Sequence, residues 1–141
     1  MATRQDFTDE EWAALQKGLM GSGMLVSVSD RDLTDTFGEA GALGKFLSGQ
    51  QVAATSELIR ELAKTRGTGF GLTASPEEVR TETMGALATA VAALRLKAPE
   101  DVAAYRELVL GLARAVADAK GGEVPVEREM IEAIEGALKD G

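Results

Sequence analysis

The chain has 141 residues, 45% of them hydrophobic and 27% charged, a balance that suits one globular domain spanning 1–141 rather than a disordered chain. Its formal charge of −8 opposes a phosphate backbone or an anionic membrane surface, because both are bound by Lys and Arg displacing counterions. With no cysteine and no histidine, the sequence excludes disulfides, thiolate metal ligands, thiol nucleophiles and the histidine base of a serine triad.

Only 4% of residues are aromatic, so the core is built from Ala, Leu, Val, Ile and Met, which favours closely packed helices over a β-sandwich. Residues 1–7 carry no apolar run of the signal-peptide kind and are expected to be loosely ordered. The longest weakly polar stretch, 85–94, is too short to span a bilayer. The expectation is a cytoplasmic protein with neither nucleic acid nor membrane as partner.

Thr8, followed by Glu11 three residues on, forms a capping box that starts a first helix. Trp12, Leu15, Leu19 and Val26 recur at helical spacing and define its buried stripe. Gly18, Gly21 and Gly23 each cost about 1 kcal/mol of helix propensity relative to Ala, which points to close approach of a neighbour. The alternation Val26-Ser27-Val28-Ser29 suggests a half-buried strand, but the related stretch GLARAVADAK, 111–120, is helical in pattern, so these residues read as the end of a buried helix.

A second helix is predicted over about 33–48, with Phe37, Leu43, Phe46 and Leu47 inward. A third is predicted over 51–66, with Val52, Leu58, Ile59 and Leu62 inward. The stretch GTGFGLTAS, 67–75, reads as a connector; its spaced glycines lack the Gly-Lys-Ser/Thr ending of a phosphate loop, and Phe70 is either tucked onto the bundle or a small docking element. Ser75-Pro76-Glu77-Glu78 repeats the start signal for a fourth helix, rich in alanine, that reaches about Leu96. Pro99 opens a fifth helix ending near Lys120, and Pro125 a sixth. The result is an all-α bundle of about six helices.

The chain carries a faint internal echo. At an offset of 88 residues Gly23 meets Gly111, Val28 meets Val116, Asp30 meets Asp118 and Glu39 meets Glu127. Each copy is an apolar helix ending in Asp, a polar link, and a glutamate entering the next helix. This pattern resembles the TerB-like superfamily, named for a tellurite-resistance protein and made of small all-helical domains of similar length. The resemblance implies two such units related by an approximate twofold, and a divalent cation, calcium or magnesium, held by acidic residues at the positions of Asp30, Glu39, Asp118 and Glu127. Two departures stand out: Arg31 follows Asp30 where the family usually has glycine, and the link DAKGGEVPVE is longer than usual.

The residues supply two acidic groups of their own. They are Asp30, Asp32, Asp35 and Glu39, and Asp118, Glu123, Glu127 and Glu129. Hard cations require several converging carboxylate oxygens, which either group could contribute. The first is not an EF-hand, since Asp35 stands at the glycine position and Gly41 at that of the bidentate glutamate. Both groups also have a purely electrostatic explanation, because acids cap helices and favour their N-terminal ends.

The functional expectation is a non-enzymatic binding or stress-response module acting through protein contacts, tuned by a divalent cation. Association with a second copy through the alanine-rich fourth helix is one form of such contact. The alternative is a bundle enclosing a small apolar ligand or lipid tail, which five methionines and alanine-rich helices would allow.

Overall fold

The computed structural model describes residues 3–29, 36–53, 56–65, 75–119 and 125–140, and side chains at 3–26, 44–52, 56–65, 75, 77–117 and 128–139. Among the described residues there are six α-helices and no strand: α1 (Asp9–Ser29), α2 (Thr36–Ala53), α3 (Glu57–Leu62), α4 (Pro76–Lys97), α5 (Val102–Ala119) and α6 (Pro125–Asp140). All six contribute to one continuous apolar core, through residues such as Leu15, Leu47, Leu58, Leu87, Leu112 and Ile134. The strand alternative at 26–29 is thereby excluded, since these residues close the last turn of α1 and Val26 is fully buried. Phe70 and the rest of its connector lie outside the described residues, apart from Ser75.

Local chemistry starts the helices where the sequence places the signals. The Thr8 amide donates to Glu11 Oε1 at 2.9 Å and the Glu11 amide to Thr8 Oγ1 at 3.1 Å, so two orphan donors of α1 are satisfied reciprocally. Ser75 caps α4 by accepting from the Glu78 amide at 3.2 Å. Pro99 opens a 3-10 turn, Pro99–Asp101, that leads straight into α5.

Two expectations need correction. The third helix is only Glu57–Leu62, and α2 runs on to Ala53, which leaves Val52 87% exposed instead of inward. Ser56 is the cause: its hydroxyl accepts from the Ile59 amide at 3.4 Å and starts a separate helix. Gln51 then ties α2 to that helix by donating to the Ala63 carbonyl at 3.0 Å. The opening residues also do more than expected. A 3-10 turn at Arg4–Asp6 delivers Phe7 into the core, where it is 5% exposed.

The packing centres on α1. From Gly18 to Gly23 all its residues are buried, as a helix enclosed by neighbours requires. Gly18 and Gly21 let α4 and α5 come close: a methyl at Gly18 would stand 2.7 Å from Tyr105 Oη and 2.9 Å from Leu87 Cδ2, and one at Gly21 would overlap the Thr83 side chain. Tyr105, fully buried, donates its hydroxyl to the Leu15 carbonyl at 2.8 Å, and burial holds its phenol above the ordinary pKa.

These contacts also fix helix polarity. Gly18 facing Leu87, Gly21 facing Thr83 and Glu11 paired with Lys97 make α1 and α4 antiparallel. Arg106 donates twice to the Leu138 carbonyl, at 3.2 and 3.1 Å, so α5 and α6 are antiparallel too. Arg95 reaches the Lys139 carbonyl at 3.1 Å, which runs α6 parallel to α4 and gives the final carbonyls of α6 cationic partners. Phe46 against Gly111, and Ser56 donating to Asp101 at 2.8 Å, set α2 antiparallel to α5.

Glycines in the two settings respond oppositely to a methyl group. Gly18→Ala forces Tyr105 and Leu87 aside and is expected to lower stability by about 1–3 kcal/mol. Gly136→Ala on α6, where nothing lies within 4 Å, is expected to raise it by about 0.5–1 kcal/mol. Urea unfolding of both variants measures the contrast.

Candidate functional site

Helix polarity decides where the sequence-predicted acids go. The C-terminal ends of α1 and α5 and the N-terminal ends of α2, α4 and α6 share one end of the bundle, by the contacts just described. Glu39 lies in the first turn of α2, Asp118 in the last turn of α5 and Glu127 in the first turn of α6, so the backbone carries all three to this end. Their side chains lie outside the description, as do Asp30, Asp32, Asp35 and Glu123 entirely. Glu129 is described and exposed on α6.

The chemistry of such a donor set suits a hard cation, because it consists of carboxylates and helix-end carbonyls without nitrogen or sulfur. Helix dipoles add little net potential here, since α1 and α5 present carbonyl ends while α2, α4 and α6 present amide ends. Attraction for a cation therefore rests on the carboxylates. Among the described residues no group of three or more acids converges closely enough to hold a metal ion. None of the helices described is long and apolar enough to cross a membrane.

No family model matches the chain, and neither a curated protein nor a solved structure matches it.

The opposite end carries a cluster that sequence reading missed. Lys97, at the last residue of α4, pairs with Glu11 and lies 5.7 Å above the Phe7 ring. Arg4 stacks 5.1 Å from the Trp12 ring and pairs with Asp9 at 2.8 Å, while the Phe7 and Trp12 rings meet at 6.3 Å. Two cations, two rings and two carboxylates thus fasten the N-terminal turn over the ends of α1 and α4. The arrangement is a latch rather than a reaction site, because each cation already faces a carboxylate and a ring. The one signal in the sequence is local, in the Arg4, Phe7, Trp12 spacing; the Lys97 contribution comes from 86 residues away.

An open groove of about 410 Å³ runs between α1 and α4. It is lined by Glu10, Ala13, Ala14, Lys17, Glu82, Gly85, Ala86 and Thr89, with Lys17 and Glu82 bridging it at 3.0 Å. This space is open to solvent, unlike the enclosed apolar cavity that the lipid alternative requires.

The latch makes stability depend on pH in a defined direction. The hydrogen bond from Lys97, followed by that from the Thr8 amide, holds the Glu11 carboxyl below its ordinary value of 4.5. A carboxyl lowered in the folded state contributes fully above the unfolded value and loses that contribution as pH falls through the folded one. Melting temperature is expected to fall more steeply on acidification below pH 4.5 in the native protein than in Glu11→Gln. Equal slopes in the two proteins would show that the pair contributes nothing; Trp12 fluorescence reports the release of the turn.

Proposed function

We propose that this protein is a non-enzymatic, TerB-like helical binding module that acts through protein contacts, with a divalent cation at the acidic end of the bundle tuning them. What carries the reading is helix polarity. The two Asp-to-Glu segments of the internal echo are 88 residues apart in sequence, yet their helix ends share one end of the fold. Asp30 with Glu39 and Asp118 with Glu127 would hold the cation, calcium or magnesium, through carboxylate oxygens. Where these carboxylates converge they repel one another, and a bound cation would relieve that repulsion while ordering the surface offered to a partner.

Calorimetric titration of the chelated protein with calcium, magnesium and manganese tests this, together with melting in each. At a cation concentration about ten times the Kd, stability rises by roughly 1.4 kcal/mol. The double variant Glu39→Gln, Glu127→Gln should lose both the heat of binding and the stabilisation. Absence of heat and an unchanged melting temperature with all three cations would remove the reading.

A further inference from the structure

Residues 3–7 are joined to the bundle in the way a peptide ligand is joined to its receptor. Their described main-chain bonds close on the segment itself: the Thr3 amide donates to Asp6 Oδ2 at 2.8 Å, the Asp6 amide to the Thr3 carbonyl at 3.0 Å and the Phe7 amide to the Arg4 carbonyl at 3.3 Å. Side chains make the junction with the helices. Phe7 is buried, while Gln5, Asp6 and Thr8 around it are exposed. One aromatic anchor on an otherwise polar segment is how short peptides are held in pockets.

The socket belongs to the helices. Trp12 on α1 meets the Phe7 ring at 6.3 Å, and Lys97 on α4 lies 5.7 Å above it. Lys97 is held there by Glu11, and α1 is held to α4 by the fit of Leu87 and Thr83 against Gly18 and Gly21; none of these residues is in the segment. In return Arg4 places a cation 5.1 Å from the Trp12 ring, so each side offers the other one ring and one cation. The join to α1 also parts cleanly. The reciprocal Thr8 and Glu11 bonds cap the helix by themselves, so the segment can lift off without unwinding it.

We propose that this socket is a binding site for a peptide segment of another protein, closed in this structure by the chain's own residues 3–7. Its ligand is a short turn carrying an arginine and, three residues on, an aromatic side chain, as Arg4 and Phe7 are placed here. The aromatic sits between Trp12 and Lys97, and a ring is favoured over an aliphatic side chain because a cation stands over its face. The arginine covers the Trp12 ring and meets Asp9, which holds Arg4 at 2.8 Å. The chain's own segment is then an autoinhibitory plug. It lowers the apparent affinity for an outside peptide by the fraction of molecules in which the socket is open.

The inference rests on the reading that the module works through protein contacts, and it names the chemistry of a partner. It concerns the end opposite the acids and involves no cation, so cation titration and peptide binding can fail separately. In the native protein the Asp6 and Phe7 amides should exchange hydrogen at least about 100-fold faster than those of Leu15 and Leu19, because the segment lifts off while the bundle stays folded. In the full chain carrying Arg4→Ala and Phe7→Ala the socket is vacated. A peptide of residues 3–8, TRQDFT, at millimolar concentration should then bind, changing the fluorescence of Trp12 and raising the melting temperature. The native protein should bind it at least about tenfold more weakly, since its own segment competes. The same peptide with alanine at the Phe7 position should not bind. Equal amide protection, no saturable fluorescence change in the double variant, or equal binding of the two peptides would overturn the proposal. Loss of the fold in the double variant, read by circular dichroism, would overturn it too, because the socket must stand without its plug.

Discussion

The close approach of α1 to α4, across Gly18 and Gly21, is the constraint on which the rest of the structure depends. Two helices can pack this tightly only where one lacks side chains, and here Leu87 and Thr83 of α4 occupy the space that Cβ atoms on α1 would need. Thr83 is fully buried against Gly21 and its hydroxyl has no hydrogen-bond partner among the described residues, a cost the contact carries without local return. Ser22 avoids that cost by donating to the Gly18 carbonyl at 2.6 Å, and Tyr105 by donating to Leu15. Of the polar groups buried here, Ser22 and Tyr105 each find a helix carbonyl of α1, while Thr83 does not.

Once α1 and α4 are locked antiparallel, the directions of the other helices follow from single contacts. Arg106 and Arg95 hold the C-terminal carbonyls of α6, and Ser56 with Asp101 holds the start of α3 to the start of α5. One end of the bundle is fastened by these bonds together with the Arg4, Lys97 and Glu11 latch. The other end gathers the helix termini that carry Glu39, Asp118 and Glu127.

Legibility in the sequence depended on the range of the interaction. The cap signals at Thr8 and Ser75 are readable because each involves residues three apart: Thr8 forms the full reciprocal box with Glu11, and the Ser75 hydroxyl accepts from the Glu78 amide. The break between α2 and α3 lies later than hydrophobic spacing predicts, because that spacing continues across it. Val52 has the apolar character of an inward position, but the Ser56 cap ends that continuity and leaves Val52 in solvent. The buried Phe7 was missed for a related reason: its ring is held by Lys97, which no local window contains. For the candidate acids, residue types and spacing are legible in the sequence, while the sharing of one end by α2, α5 and α6 is not.

By itself, the sequence determined the helical class, the starts of α1, α4 and α6 and the small residues that helix packing needs, because propensity, capping and periodicity act within a few residues. It also determined the absence of histidine and cysteine chemistry, since composition alone decides that. Only the tertiary structure decided which glycines are filled by neighbours and which stand open, which helix ends meet, and that Lys97 serves Glu11 and Phe7. Those outcomes depend on the directions of packed helices far apart in the chain, and helix direction is set by contacts that no local pattern encodes.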